Sequence, residues 1–421
     1  MIRPSTPEGR LAGCLGFPTV SSREGFSLEP FHGLHKYSRE CWPAVFARMN
    51  PLTIGGASLL FELRGSDPAL EPLLLTAHQD VVPADADDGW DHPPFLGLVE
   101  NGVIHGRGAL DFKCGYAGIL EACETLLQQG FRPDRTLYLA MGHDEEIGGA
   151  AGAEGMTRLL EDRAVMCAFA LDEGGYIHTL PWSGDRTALI GIAEKGYATF
   201  SVRAEAEQGH ASVPTPVTAA GLLAEGVICI GSNPFPLRPP PDIMALFESA
   251  DLEEVAATSY GSALTRTTAT VTVVRSGEKE NVLPASGSML VNCRIIPGES
   301  IASVEKRLTD MLARIGLVVT LQRNESLSEP SRVAPVESDE YRVVRDAARL
   351  VCDGIPVLPG IFVAATDSRH YSRVARSVYR FLPVRLDNRG VGMLHSRNEA
   401  ITIADYHSCV GFYREVVRRF C

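Results

Sequence analysis

An α/β fold built on a mainly parallel sheet, interrupted by an inserted α+β domain, is what this 421-residue sequence predicts. Three observations lead there. Short apolar runs bounded by polar residues recur at 73–77, 136–141 and 165–171, the pattern of strands buried on both faces. Helix-patterned segments separate these runs, and alternation of strand and helix implies parallel strands with helices on the sheet faces. From about Glu194 the texture changes to period-two alternation, and after Pro335 the first texture returns.

Each element follows from its local pattern. Leu11 and Leu15 are spaced for one helix face, and residues 35–49 carry Cys41, Val45, Phe46 and Met49 at helical spacing. A strand is expected over 58–63, closed by the turn residues 64–68. Helices are expected over 116–129, ended by Gly130, and over 152–161. In the middle of the chain, 197–204, 268–273 and 288–294 alternate as strands with one solvated face, and 219–230 and 301–315 read as helices. Residues 233–241 form a proline-rich loop. The returning segment holds a helix over 340–352, a short apolar run at 361–364 and a last helix over 405–419. The expected layout is a catalytic domain of residues 1–193 and 329–421 with residues 194–328 inserted as a second domain.

Composition narrows the function. Hydrophobic residues make up 45% and charged residues 22%, so disorder, collagen and a small disulfide scaffold are excluded. The net charge of −13 argues against nucleic acid and anionic membrane surfaces as main partners. Ten cysteines are scattered without a Cys-x-x-Cys pair, and no apolar core follows Arg3, so a reducing cytoplasm is expected.

In a parallel sheet, ligands bind at the carboxyl ends of the strands. The three apolar runs end in His78-Gln79-Asp80, His143-Asp144-Glu145-Glu146 and Asp172-Glu173, and the loop 106–111 between the first two ends in Asp111. A single such residue is ordinarily structural: a satisfied His, an N-cap Asp, a solvated Glu pair. Three successive strand ends carrying them are not. Imidazole and carboxylate suit a divalent ion, with zinc first and cobalt or manganese as alternatives. Asp80 is spaced to accept the second ring proton of His78, fixing its tautomer. Of the adjacent Glu145 and Glu146, one can bind metal while the other remains a free base, the minimal machinery for hydrolysis. Asp111, Glu146 and Asp172 together repel one another unless countered, and two divalent ions bring +4 against their −3. No Gly-x-Ser-x-Gly elbow, Walker A or Gly-x-Gly-x-x-Gly motif competes.

At these residues the sequence resembles the M20 family of co-catalytic metallopeptidases and amidohydrolases. The matching motifs are His78-Gln79-Asp80-Val81-Val82-Pro83, Gly106-Arg107-Gly108-Ala109-Leu110-Asp111, Gly142-His143-Asp144-Glu145-Glu146-Ile147-Gly148-Gly149, Asp172-Glu173-Gly174-Gly175 and Leu394-His395-Ser396-Arg397-Asn398-Glu399. The His-Asp-Glu-Glu form and Trp90-Asp91-His92-Pro93-Pro94-Phe95 look most like the carboxypeptidase S and N-acyl-amino-acid hydrolase branch. The resemblance implies an aminopeptidase-like catalytic domain with a ferredoxin-like lid that dimerises. It implies that Asp111 bridges two ions, that His78 and Asp172 hold one and that Glu146 and His395 hold the other. Asp80 would orient His78, Glu145 would act as general base and acid, and the Asp111-Phe112 peptide would be cis. In the lid, Gly209-His210-Ala211-Ser212 matches a motif whose His reaches the partner subunit's active site. Asn281 and Arg294 match positions that grip a substrate carboxylate, and the loop carrying Thr366 and Arg369 resembles one that closes that pocket. Ala365 stands where the family usually has Gly, and His105 where it has another aromatic.

The implied reaction is hydrolysis of an amide bond next to a free carboxylate, in short peptides or N-acyl amino acids. Two alternatives stay open: an aminoacylase rather than a carboxypeptidase or dipeptidase, and a metal-dependent binding protein without turnover. The presence of Glu145 disfavours the second, since a structural metal site has no need of a free base.

Overall fold

The computed structural model describes residues 4–324, 326–386 and 394–421, so Met1 to Arg3 of the amino-terminal reading lie outside the described residues. The apolar runs form strands Leu73–His78, Leu137–Gly142 and Cys167–Asp172, each buried along its whole length. Leu73–His78 pairs in parallel with both of the others, and Ala375–Arg380 joins in parallel beyond Cys167–Asp172. These four form the middle of a ten-stranded mixed sheet. Antiparallel Ser58–Leu63 flanks it on one side, and Arg186–Glu194, which carries Val357–Phe362 in parallel, flanks it on the other.

Alternation along each strand feeds two cores. Leu73 and Leu75 pack with helices Lys113–Gln128, Asp339–Val351 and Ile403–Phe420, while Leu74 faces Met156 and Leu160 of Ala153–Asp162. The inserted segment builds a separate antiparallel sheet in the order Thr268–Ser276, Ser286–Ile295, Gly196–Glu205, Val318–Gln322. Phe200, Val202, Met289 and Val291 form its inner face against Leu223 of Ala219–Ser232 and Val304 and Leu308 of Ile301–Leu312. No helix among the described residues is long and apolar enough to cross a membrane.

Some elements depart from expectation for identifiable reasons. The single helix expected over 35–49 is two, Glu29–Cys41 and Pro43–Met49, because Pro43 has no N–H to continue the ladder and instead opens a new helix. The run expected at 361–364 belongs to Val357–Phe362; Pro359 disguised it, and is tolerated because, among the described residues, this strand pairs with one neighbour. Ala375–Arg380 is hidden in the sequence by its charges, yet Arg380 is buried in an ion pair with Glu194 at 2.9 Å. Residues 243–264, expected in the inserted domain, contribute Ile243, Leu246, Phe247, Val255 and Leu264 to the larger domain's core. Trp182 anchors them, stacking on Tyr260 and donating Nε1–H to the Leu246 carbonyl.

Lys195 alone separates the large-sheet strand ending at Glu194 from the small-sheet strand starting at Gly196. It is buried, its Nζ donating to the carbonyls of Ala263 and Arg266, and burial lowers its pKa to about 7. Between pH 7 and its ordinary value near 10.4 the unfolded chain then binds the proton that the folded chain refuses, so Lys195 makes stability rise with pH in that window. Lys195→Met is expected to reduce this rise, measured as denaturation midpoints from pH 7 to 10; an unaltered slope contradicts the assignment.

Candidate metal centre

Strand ends and loops converge on one cluster. His78 closes Leu73–His78, Glu145 and Glu146 lie in the short 3-10 turn after Leu137–Gly142, and Glu173 follows Cys167–Asp172. Asp111 sits between two imidazoles: its Oδ1 is 2.9 Å from His78 Nε2 and its Oδ2 is 3.0 Å from His395 Nε2. His395 Nε2 also lies 3.1 Å from Glu146 Oε2, and His78 Nε2 lies 3.5 Å from Glu173 Oε1. His395 adopts a left-handed backbone (φ 58°), and the Asp111-Phe112 peptide is cis.

Electrostatics matches that geometry. Burial, reinforced by Glu173, pushes the Glu145 carboxyl well above its ordinary value. Burial and Asp111 raise Glu146, and burial carries Glu173 up to about 8. Hydrogen bonds to Asp111 and Glu146 lift His395 to about 10. Burial opposes protonation of His78, but Glu173, Asp111 and Asp80 outweigh it and hold its pKa well above the usual value. Carboxylates this crowded need protons or cations between them.

The residues fit divalent cations. Two groups have ligand atoms within 4.8 Å of one another: His78 with Asp111 and Glu146, and His78 with Glu145 and Glu173. Glu146 Oε1 is buried without a hydrogen-bond partner, which is costly for a carboxylate oxygen unless an ion takes it.

The sequence expectations need three corrections. Asp172 does not face the cluster; its carboxylate accepts from Thr76 Oγ1, Thr366 Oγ1 and Ser368 Oγ, and Glu173 occupies the place expected of it. Successive strand side chains point to opposite faces, so one of the pair Asp172-Glu173 had to turn away. Second, the nearest partner of His78 Nδ1 is the Asp80 backbone carbonyl at 3.0 Å, with the carboxylate at 3.4 Å. The Asp80 carboxylate also accepts from Ser21 Oγ and from the backbone N–H of Glu145 and Glu146, so besides His78 it positions that turn. Third, the Thr366 hydroxyl is spent on Asp172 and Glu194, and Arg369 donates to the Gly148 carbonyl.

The residues expected in a lid lie apart from the cluster's hydrogen bonds and ion pairs among the described residues. His210 is exposed, on a two-residue strand paired with Val282–Leu283, and the Asn281 carbonyl accepts from Ala211 N–H, so the two share one ribbon. Arg294 lies on Ser286–Ile295 with its guanidinium over the Tyr197 ring at 4.7 Å, and burial lowers its pKa.

Glu399 closes one of the sequence motifs, where its residue type alone assigns it no role. Fully buried, its carboxylate accepts from Arg107 Nη1 and from the backbone N–H of Gly108, Leu110 and Asp111. It therefore ties the Asp111 loop to the segment carrying His395. Glu399→Ala is expected to weaken divalent-ion binding about 10–100-fold, the usual effect of losing a group that orients a ligand. Isothermal titration checks this, and unchanged affinity would contradict it.

Residues 74–419 match the model of peptidase family M20/M25/M40. N-fatty-acyl-amino acid synthase/hydrolase PM20D1 of Mus musculus is 32% identical, the alignment covering 97% of this chain and 86% of that protein. Probable carboxypeptidase S-like 2 of Dictyostelium discoideum is likewise 32% identical, covering 97% and 84%. Among solved structures, the M20 family metallo-carboxypeptidase Sso-CP2 from Sulfolobus solfataricus superposes with a TM-score of 0.70 at 18% identity, covering 99% of both chains. With family motifs in order along nearly the whole chain and their side chains gathered at the strand ends, this protein belongs to peptidase family M20/M25/M40.

Proposed function

We propose that the chain hydrolyses an amide bond next to a free carboxylate, in short peptides or N-acyl amino acids, using two divalent ions, zinc first. The observation that carries this reading is Asp111 between His78 and His395, with the Glu145 carboxyl beside the same cluster. His78, Asp111 and Glu173 would hold one ion; Asp111, Glu146 and His395 the other. The ions would supply Lewis acidity toward a water molecule and the scissile carbonyl.

The chain's own residues supply the rest. Glu145, whose burial makes it a stronger base than an ordinary carboxylate, takes the proton from the attacking water. As the carbon–nitrogen bond breaks, it passes that proton to the leaving nitrogen. Asp80 fixes the turn that aims Glu145 and Glu146, and Glu399 fixes Asp111. Asn281 and Arg294 are the proposed grips on the substrate carboxylate. His210 is proposed to serve the partner's site in a lid-mediated homodimer, stabilising charge on the carbonyl oxygen. No disulfide joins cysteines among the described residues, which supports a cytoplasmic setting.

Glu145→Gln is expected to lower kcat about 10²–10⁴-fold with metal content unchanged. N-acyl amino acids and dipeptides assayed side by side on zinc-, cobalt- and manganese-loaded protein separate aminoacylase from peptidase; no cleavage in any arm would refute the reading. Mixing inactive Glu145→Gln with inactive His210→Ala should restore about a quarter of wild-type sites through mixed symmetric dimers. No recovery on mixing would remove the proposed role of His210.

A further inference from the structure

Next to the cluster lies a cavity of about 360 Å3 whose character differs from the cluster's. Tyr176, Leu189, Tyr260, Ile361, Phe362 and Val363 line it, with Leu386 and Leu394 at its edge. The chain joins its wall to the candidate centre at two places. Leu394 immediately precedes His395, and Gly175 in its wall stands two residues beyond Glu173. Tyr176 belongs to both regions, since Glu173 and Asp111 add to burial in raising its phenol well above the ordinary value.

Glycine keeps the cavity wall thin. Gly175 adopts φ +69°, and a Cβ there would come within 2.5 Å of the Arg380 and Leu189 carbonyl oxygens, so the backbone can close this wall only without a side chain.

Among the described residues, the lining contains no Lys, Arg, Asp or Glu. Its titratable groups are neutral near pH 7: burial lowers His178 to about 4 and raises the Tyr260 phenol. A carboxylate entering here would be desolvated with no opposing charge among the described lining residues. The cations lie elsewhere. Ala365, one residue past the cavity wall at Ala364, lines a separate groove with Lys195, Arg332, Arg369, Arg373 and Arg376. The loop before Thr366 thus parts an apolar compartment from a basic one.

We propose that this cavity receives an apolar substituent of the substrate, either the acyl chain of an N-acyl amino acid or the hydrocarbon side chain of the residue beside the scissile amide. The proposal rests on the amide-hydrolase reading above and assigns its specificity to Tyr176, Tyr260, Phe362, Val363 and Ala364.

Two substrate series on metal-loaded protein test it. One lengthens the acyl group on glycine from acetyl to octanoyl; the other holds acetyl fixed and changes glycine to leucine and phenylalanine. In the series whose substituent enters the cavity, kcat/KM should rise about fourfold for each methylene buried. Ala364→Phe, which fills the cavity, should flatten that rise; Tyr260→Ala, which widens it, should extend it to longer or bulkier groups. Thermal unfolding identifies a variant that fails to fold, and the opposite shifts let the remaining one decide. Cleavage with no dependence in either series, or with a dependence that both folded variants leave unaltered, overturns the pocket alone. Absence of cleavage in wild type overturns the hydrolase reading and the pocket with it.

Discussion

Mutual repulsion among buried carboxylates is the constraint on which the rest of this structure depends. Asp111, Glu145, Glu146 and Glu173 crowd round His78 and His395 at the carboxyl edge of a parallel sheet, where a neutral arrangement would be far easier to fold. Protons relieve the crowding in part, as the raised Glu145, Glu146 and Glu173 carboxyls indicate. The proposed divalent cations would relieve it more completely and would supply Lewis acidity there. The surroundings are built to hold the charges in place. Asp80 and Glu399 accept backbone N–H groups from the two loops that carry the proposed ligands, so each loop is fixed by a buried carboxylate behind it.

Below the cluster a second polar layer gives rigidity. Asp172 collects three hydroxyls, Thr366 bridges it to Glu194, and Glu194 neutralises Arg380. This chain of contacts joins strands Cys167–Asp172, Arg186–Glu194 and Ala375–Arg380 with the Thr366 loop. A fully satisfied buried network is stiff, and stiffness is what an ion site needs to keep its geometry. The Asp172 carboxylate and the Thr366 hydroxyl thus act on the centre from behind, by holding its floor.

Much of this was legible in the sequence, and the failures have physical causes. The buried strands showed as apolar runs, and the gathering of acid and imidazole at their ends followed from sheet geometry. Asp172 and Glu173 could not be told apart, because a one-residue difference in where the strand ends decides which side chain faces the cluster. His395 came from resemblance alone, since it lies in a loop with no periodic signal. Glu399 acts on backbone groups and Ser21 on the buried Asp80 carboxylate, and neither leaves a spacing in the sequence. Arg380 and Pro359 hid real strands by breaking the composition that strands usually show. The tertiary packing of residues 243–264 onto the larger core is a long-range effect, invisible to local pattern.

Anomalous diffraction from zinc-loaded crystals, recorded on both sides of the zinc absorption edge, addresses the central claim most directly. The account requires two peaks per chain on either side of Asp111, one within coordinating reach of His78 and Glu173, the other of Glu146 and His395, with the Asp172 carboxylate still held by its three hydroxyls. A lone peak, no peak, or density joining Asp172 to an ion in place of Glu173 would contradict it.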